Sequence, residues 1–377
     1  MSRGQLWCVI AVATSVVPTL ASPDPPSHVI KNSEITARVY VPDAKAGFYR
    51  STRFDWSGAI VSLEYKGHNY YGPWFIRITD IYDFGYEGPN DDVISAEFTA
   101  MVGPAEEFGV IGYNDAKPGG VFVKPGIGVL RRADETPYNH SKPYELVNGG
   151  TWQTTRRSDS IAFTHTLSEP AIDFGYVYTK VIRLTKGKPQ MTIAHIWKNT
   201  GTTPIRTNVY NHNFMTLDKQ PPGPDYAITF PFEPQRVQRG ARPAQPGAGA
   251  SGAPPAGQPG QSGRGLNPPN GSRCGQPQMQ ALAAVQGNRL VYAKVLEGPE
   301  CFQASFTGFE PTIAHHDIRI ENTRVGAGVR ITGDRPMSRF GYWSIRTVMA
   351  VEPYIDIVVD PAQEFTWTWT YDYFVVK

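Results

Sequence analysis

Three asparagines and a histidine fall within seven residues at Asn208-Val209-Tyr210-Asn211-His212-Asn213-Phe214, in sequence that otherwise reads as strand. Side chains alternate along a strand, so Asn208, Tyr210, His212 and Phe214 share one face, and Asn211 and Asn213 take the other. Asparagine is disfavoured in strands, and a binding site is one way to offset that cost. A histidine there suits proton transfer, because its ordinary pKa lies near neutrality. The structural alternative is a core imidazole held by neighbouring amides. The second position is Glu352, in Ala350-Val351-Glu352-Pro353-Tyr354, directly after an apolar strand predicted over Tyr342 to Val351. Its carboxylate could act as a base, or could pair with Arg346 on the same face. The sequence has no serine nucleophile elbow, Walker loop, dinucleotide glycine motif or His-x-x-x-His pair, which excludes most motif-marked enzymes. Cys274 and Cys301 cannot build a metal site, and they fit either one disulfide or two free thiols. Neither a metal nor a cofactor is expected.

The elements that must hold these residues are strands. Period-2 stretches rich in Val, Ile, Thr and aromatics run over Ile35 to Val41, Ala59 to Tyr65, Ile94 to Val102, Ile161 to Leu167, Tyr176 to Leu184, Met191 to Trp197, Leu290 to Val295 and Ser344 to Val351. Gly, Pro, Asn or Asp bound them, the pattern of antiparallel strands. No stretch carries convincing helical periodicity. The expected fold is all-β, a large antiparallel β-sandwich. Near the C-terminus Phe365, Trp367, Trp369 and Tyr371 alternate with polar residues, which predicts a strand buried on one face. Between Gly240 and Gly275 nearly half the residues are Gly or Pro, so an insert over 234–280, disordered for want of surface to bury, is expected within one domain spanning 22–377.

Over 377 residues, 36 Lys+Arg against 34 Asp+Glu leave a formal charge of +2, so no charge excess points to nucleic acid or an acidic membrane surface. Charged residues are 19% and aromatics 12%, a balance far from that of disordered chains. Arg3, the apolar run Leu6 to Leu20 and the small residues around Ala21 read as a signal peptide over 1–21. That run is too short to span a bilayer, so an exported, periplasmic or secreted, protein without an integral membrane segment is expected.

Taken together, the two polar segments resemble the galactose mutarotase-like (aldose 1-epimerase) family. Tyr210-Asn211-His212-Asn213-Phe214-Met215-Thr216-Leu217 is similar to the family's Thr-Asn-His-x-x-Phe-Asn-Leu, and Val351-Glu352-Pro353-Tyr354 to its Leu-Glu-Pro-Gln. Gly58-Ala59-Ile60-Val61-Ser62-Leu63 resembles the strand that opens such domains. The sequence departs from the family where it usually carries an Asn-Arg pair, here Gly126 to Arg132. It departs again where the family has Leu-His-Gly-Gly, here Val147-Asn148-Gly149-Gly150, with His140 close by. The resemblance implies a β-supersandwich acting on a small-molecule sugar without cofactor. Glu352 would take the proton of the anomeric hydroxyl and His212 would protonate the ring oxygen. Arg131, Arg132, Asn211, Asn213 and Trp343 would contact the sugar. The tips of His212 and Glu352 should then face each other across a cleft about 5–8 Å wide, the gap a pyranose needs. The competing readings are a carbohydrate-binding protein without turnover, and a polysaccharide lyase or hydrolase. A hydrolase needs a second carboxylate about 5–10 Å from Glu352, for which Asp356 is the neighbour in sequence.

Overall fold

A computed structural model of the chain describes residues 24–237, 274 and 276–376. The proposed signal peptide and most of the Gly/Pro-rich insert lie outside them. The described chain is all-β as expected, built of sheets whose strands pair antiparallel except for Arg77–Ile78 beside Asp92–Ser95. One sheet has ten strands, in the order Thr151–Arg156, Ser160–Glu169, Phe174–Leu184, Gln190–Asn199, Glu364–Val375, Ala327–Gly333, Asp317–Asn322, Tyr226–Thr229, Arg289–Tyr292 and Ala283–Gln286. The facing sheet has six, in the order Gln235–Arg236, Cys301–Thr307, Arg339–Ile345, Val348–Val359, Ile205–Phe214 and Gly103–Phe108. Alternation makes the sandwich: in Glu364–Val375, Trp367, Trp369, Tyr371 and Tyr373 are buried, while the residues between them are less so. Against them pack Val351, Ile355 and Ile357 of the six-stranded sheet. Removing such large apolar side chains from water is worth roughly 1.5–3 kcal/mol each, and this is what joins the sheets.

The six-stranded sheet is buried on its other face as well. There a second apolar cluster forms around Phe54, Trp74, Phe122, Tyr144, Phe214 and Trp343, contributed largely by chain segments that precede residue 150. The site described below lies on this face.

Three predicted strands are corrected. Leu290 to Val295 is strand only as far as Tyr292. Ile94 to Val102 is strand only as far as Ser95, because the chain then turns with the Thr99 and Ala100 N–H groups both donating to the Ala96 carbonyl. Ser344 to Val351 is a hairpin, Arg339–Ile345 turning into Val348–Val359. Arg346 and Thr347, adjacent polar residues inside that run, make the turn. Thr347 Oγ1 donates to the Trp74 carbonyl at 2.8 Å, and Arg346 donates to the carbonyls of Asn90 and Asp91. Arg346 is therefore not the partner of Glu352. The bounds of the insert are corrected too. Gln235–Arg236 pairs with Phe306 and Thr307, and Pro277–Gln280 forms a helical turn, so both ends of 234–280 carry regular structure. Cys274 and Cys301 are joined by a disulfide.

Candidate functional site

Strands Ile205–Phe214 and Val348–Val359 are neighbours, with Tyr210 opposite Tyr354 and an isolated bridge pairing Met215 with Met349. Both pairs belong to one register, which sets His212 directly across from Glu352. Opposite Cβ atoms in an antiparallel pair lie about 4.5–5.5 Å apart, so the side chains meet. His212 Nε2 is 3.3 Å from Glu352 Oε1, with side-chain exposures of 5% and 13%. The expected gap of 5–8 Å across a cleft is thereby replaced by a direct contact between adjacent strands. Gly341 faces Glu352 from the third strand, and a Cβ there would come within 2.6 Å of Glu352 Oε2. The carboxyl occupies space that only glycine leaves.

Beside this pair stands a second group that sequence reading missed. Arg53, in the loop over 49–58, donates through Nε to Glu107 Oε2 at 2.8 Å and through Nη2 to Tyr210 Oη at 3.3 Å. Tyr210 in turn donates to Glu107, and Lys124 approaches Glu107 Oε1 at 3.4 Å while donating to the Phe108 carbonyl at 2.6 Å. Tyr210 stacks on Tyr354 with ring centroids 4.3 Å apart, and the exposed Arg339 lies 3.6 Å over the Tyr354 ring. Phe54 meets the His212 ring edge-on at 5.7 Å, and Phe214 stacks on it at 3.8 Å.

This environment decides the protonation. Burial pushes the Glu352 carboxyl up to about 7; Arg53 and Arg339 oppose the rise and Glu107 adds to it. Burial, with Arg53 and His140, drives the His212 imidazole well below its ordinary value against the pull of Glu107. Glu107 itself is held far below the usual carboxylate range: Arg53 and Lys124 outweigh its burial. Both shifts favour the uncharged forms, so below about pH 7 a protonated Glu352 stands beside a neutral His212. His212 Nδ1 is buried without a hydrogen-bond partner.

The structure brings some of the other sequence-derived residues here and turns others away. Trp343 shares the face of His212, with ring centroids 5.7 Å apart, and is wedged among Trp74, Phe84 and Phe214. Asn211 and Asn213 point to the sandwich core. Asn211 Nδ2 donates to Tyr371 Oη at 2.7 Å, and Tyr371 donates to Asn213 Oδ1 at 2.8 Å. They fasten the His212 strand to the opposite sheet. Arg131 pairs with Glu145 at 2.8 Å. Arg132 donates to the carbonyls of Tyr113, Ala116, Asp134 and Glu135, so both arginines brace loops. Asp356 accepts from Ser338 at 3.0 Å. Four residues along the strand from Glu352, about 13 Å at 3.3 Å per residue, it is too far for a hydrolase pair. Among the described residues no group of three or more His, Cys, Asp or Glu could hold a metal ion, and no helix is long and apolar enough to cross a membrane.

No family model matches the chain, and no curated protein matches it. Solved structures do resemble it along nearly their whole length. A galactose mutarotase-like protein from Clostridium acetobutylicum aligns at 8% identity and TM-score 0.49, covering 92% of this chain and 95% of its own. An aldose epimerase homologue from C. elegans aligns at 12% and 0.48, covering 93% and 100%. A galactose mutarotase related enzyme from Lactobacillus acidophilus aligns at 11% and 0.47, covering 93% and 99%. At these values the likeness carries no argument about activity, which has to come from the side chains.

Proposed function

We propose that this protein is a carbohydrate-active isomerase that interconverts sugar anomers, with His212 and Glu352 as its acid/base pair. The observation that carries this reading is their contact on one sheet face, where burial raises the Glu352 carboxyl and lowers the His212 imidazole. Opening a pyranose requires a proton on the ring oxygen and the loss of one from the anomeric hydroxyl. With the two side chains next to each other on one wall, both act from the same side of the sugar: from the resting state the Glu352 carboxyl donates to the ring oxygen while His212 accepts the proton of the adjoining anomeric hydroxyl. The C1–O5 bond breaks and leaves an open-chain aldehyde beside a carboxylate and an imidazolium. After rotation about C1–C2, His212 returns its proton to the aldehyde oxygen as C1–O5 re-forms on the other face, and Glu352 regains the proton from the ring hydroxyl. Atoms and charges balance, and the pair ends as it began. Compared with the roles implied by family resemblance, acid and base are exchanged in the opening half, because a histidine depressed this far is no resting acid. Each positioned proton transfer is worth about 10²–10⁴ in rate.

Export belongs to the same proposal: the leader-like N-terminus and the Cys274–Cys301 bridge both fit an oxidising compartment. A sugar-binding protein without turnover is the second reading, favoured by the low exposure of His212, which limits how far a sugar can enter. Polarimetry on a panel of aldoses separates the two. Glu352→Gln and His212→Asn should each slow anomer exchange by at least about a hundredfold, with sugar binding retained. A wild type that binds sugars and never accelerates exchange would establish the second reading.

A further inference from the structure

A buried ionic cluster lies directly behind the site, on the core side of the six-stranded sheet. Glu106 and Glu107 are consecutive in strand Gly103–Phe108 and so point to opposite faces: Glu107 joins Arg53, while Glu106 enters the sandwich. There the Lys180 ammonium, on strand Phe174–Leu184 of the ten-stranded sheet, donates to Glu106 Oε2, to Asp55 Oδ2 at 3.2 Å and to the Ser57 carbonyl at 2.8 Å. Three protons meet three acceptors, the full capacity of an ammonium. Tyr178 donates to Asp55 at 3.1 Å, and His195 Nε2 lies 3.0 Å from Glu106 Oε1. Lys180, Asp55 and Glu106 have side-chain exposures of 1% or less.

The chain connectivity gives this cluster a consequence on the other face. Asp55 is two residues from Arg53, and its N–H donates to the Glu106 carbonyl at 2.9 Å. Lys180 thus clamps the 49–58 loop and strand Gly103–Phe108 together at one point, and these two segments supply Arg53 and Glu107. We propose that Lys180 is a positioning residue for the site: from within the core it fixes the Arg53–Glu107 pair beside His212 and Glu352. The proposal rests on the reading of that pair as the reacting groups. The charged and titratable groups facing Glu352 are His212, Tyr210, Tyr354, Arg339, Arg53 and Glu107, with Lys124 and His140 behind them. Of these, Arg53 and Glu107 are the two whose places depend on Lys180. Their effects on Glu352 are opposite in sign, so a change in their relative placement alters its protonation even when both remain.

The experiment is a ¹³C NMR titration of the Glu352 carboxyl, run without sugar beside polarimetric anomer exchange. Lys180→Met leaves two buried carboxylates without their cation and can fail to fold, so the triple variant Lys180→Met/Asp55→Asn/Glu106→Gln, which removes all three charges, is measured with it. In whichever variant is folded by near-ultraviolet circular dichroism, the Glu352 midpoint should move by more than half a pH unit and anomer exchange should fall at least tenfold. A folded variant whose Glu352 midpoint moves by half a pH unit or less overturns the proposal and leaves Lys180 a purely structural residue. A midpoint that moves as expected in a protein whose wild type never accelerates anomer exchange supports the positioning role and defeats the isomerase reading instead.

Discussion

His212 and Glu352 were legible as single residues because each breaks an apolar strand, and family resemblance put them together. Arg53, Glu107 and Lys124 were not legible: each looks like an ordinary surface charge, and only the fold gathers a loop, an edge strand and a hairpin around one carboxylate. Burial of Glu352, which Arg53 only partly offsets, has a cost in stability. Its folded pKa of about 7 lies above the ordinary 4.5, so the folded state binds the proton more tightly than the unfolded chain. The penalty is absent below about pH 4.5, grows between there and 7, and is complete above; it is on the order of 3 kcal/mol. Glu352→Gln removes it. The variant should therefore melt higher than wild type at pH 8 and equally at pH 4, as read by circular dichroism. A variant that melts lower at pH 8 would mean that the carboxylate is stabilised in place.

At the scale of elements, most strands followed from period-2 patterning, since a residue's face decides its burial. The hairpin at Arg346–Thr347 was read as one strand because hydrophobicity alone does not mark a two-residue reversal; the Arg-Thr pair in an apolar run was the signal. That reversal matters to the site, for it brings Gly341 opposite Glu352. Gly341→Ala would press a methyl against Glu352 Oε2 and swing the carboxyl away from His212. Because alanine suits a strand better than glycine does, stability should change by less than about 1 kcal/mol, while anomer exchange should fall at least tenfold. Unchanged exchange would show that the carboxyl's exact placement is immaterial.

At the scale of the molecule, the sandwich and its aromatic core were readable from composition and alternation. The buried charges spanning it were not, since nothing in the spacing of Asp55, Glu106, Lys180 and His195 announces a cluster. They tie acid stability to the sheet interface. Glu106 would be pushed up by burial, but Lys180 and His195 hold it down to about 2. A carboxylate depressed in the folded state contributes stability that is present above its ordinary pKa of 4.5 and is lost as pH falls from there toward 2. Acid unfolding should set in over that window, and Glu106→Gln should flatten the pH dependence there while lowering stability at pH 7. An equally steep acid transition in Glu106→Gln would place the acid sensitivity elsewhere.

In the proposed reaction one proton, held on Glu352 at rest, moves between the two residues and the sugar. The pH dependence of kcat/KM for anomer exchange tests it most directly, because it reports the protonation of the free protein. The rate should be level on the acid side of neutrality and fall about tenfold per pH unit above 7, as Glu352 loses the proton it must donate. A rate that rises with pH through 7 would contradict it, because Glu352 would then be needed as the carboxylate.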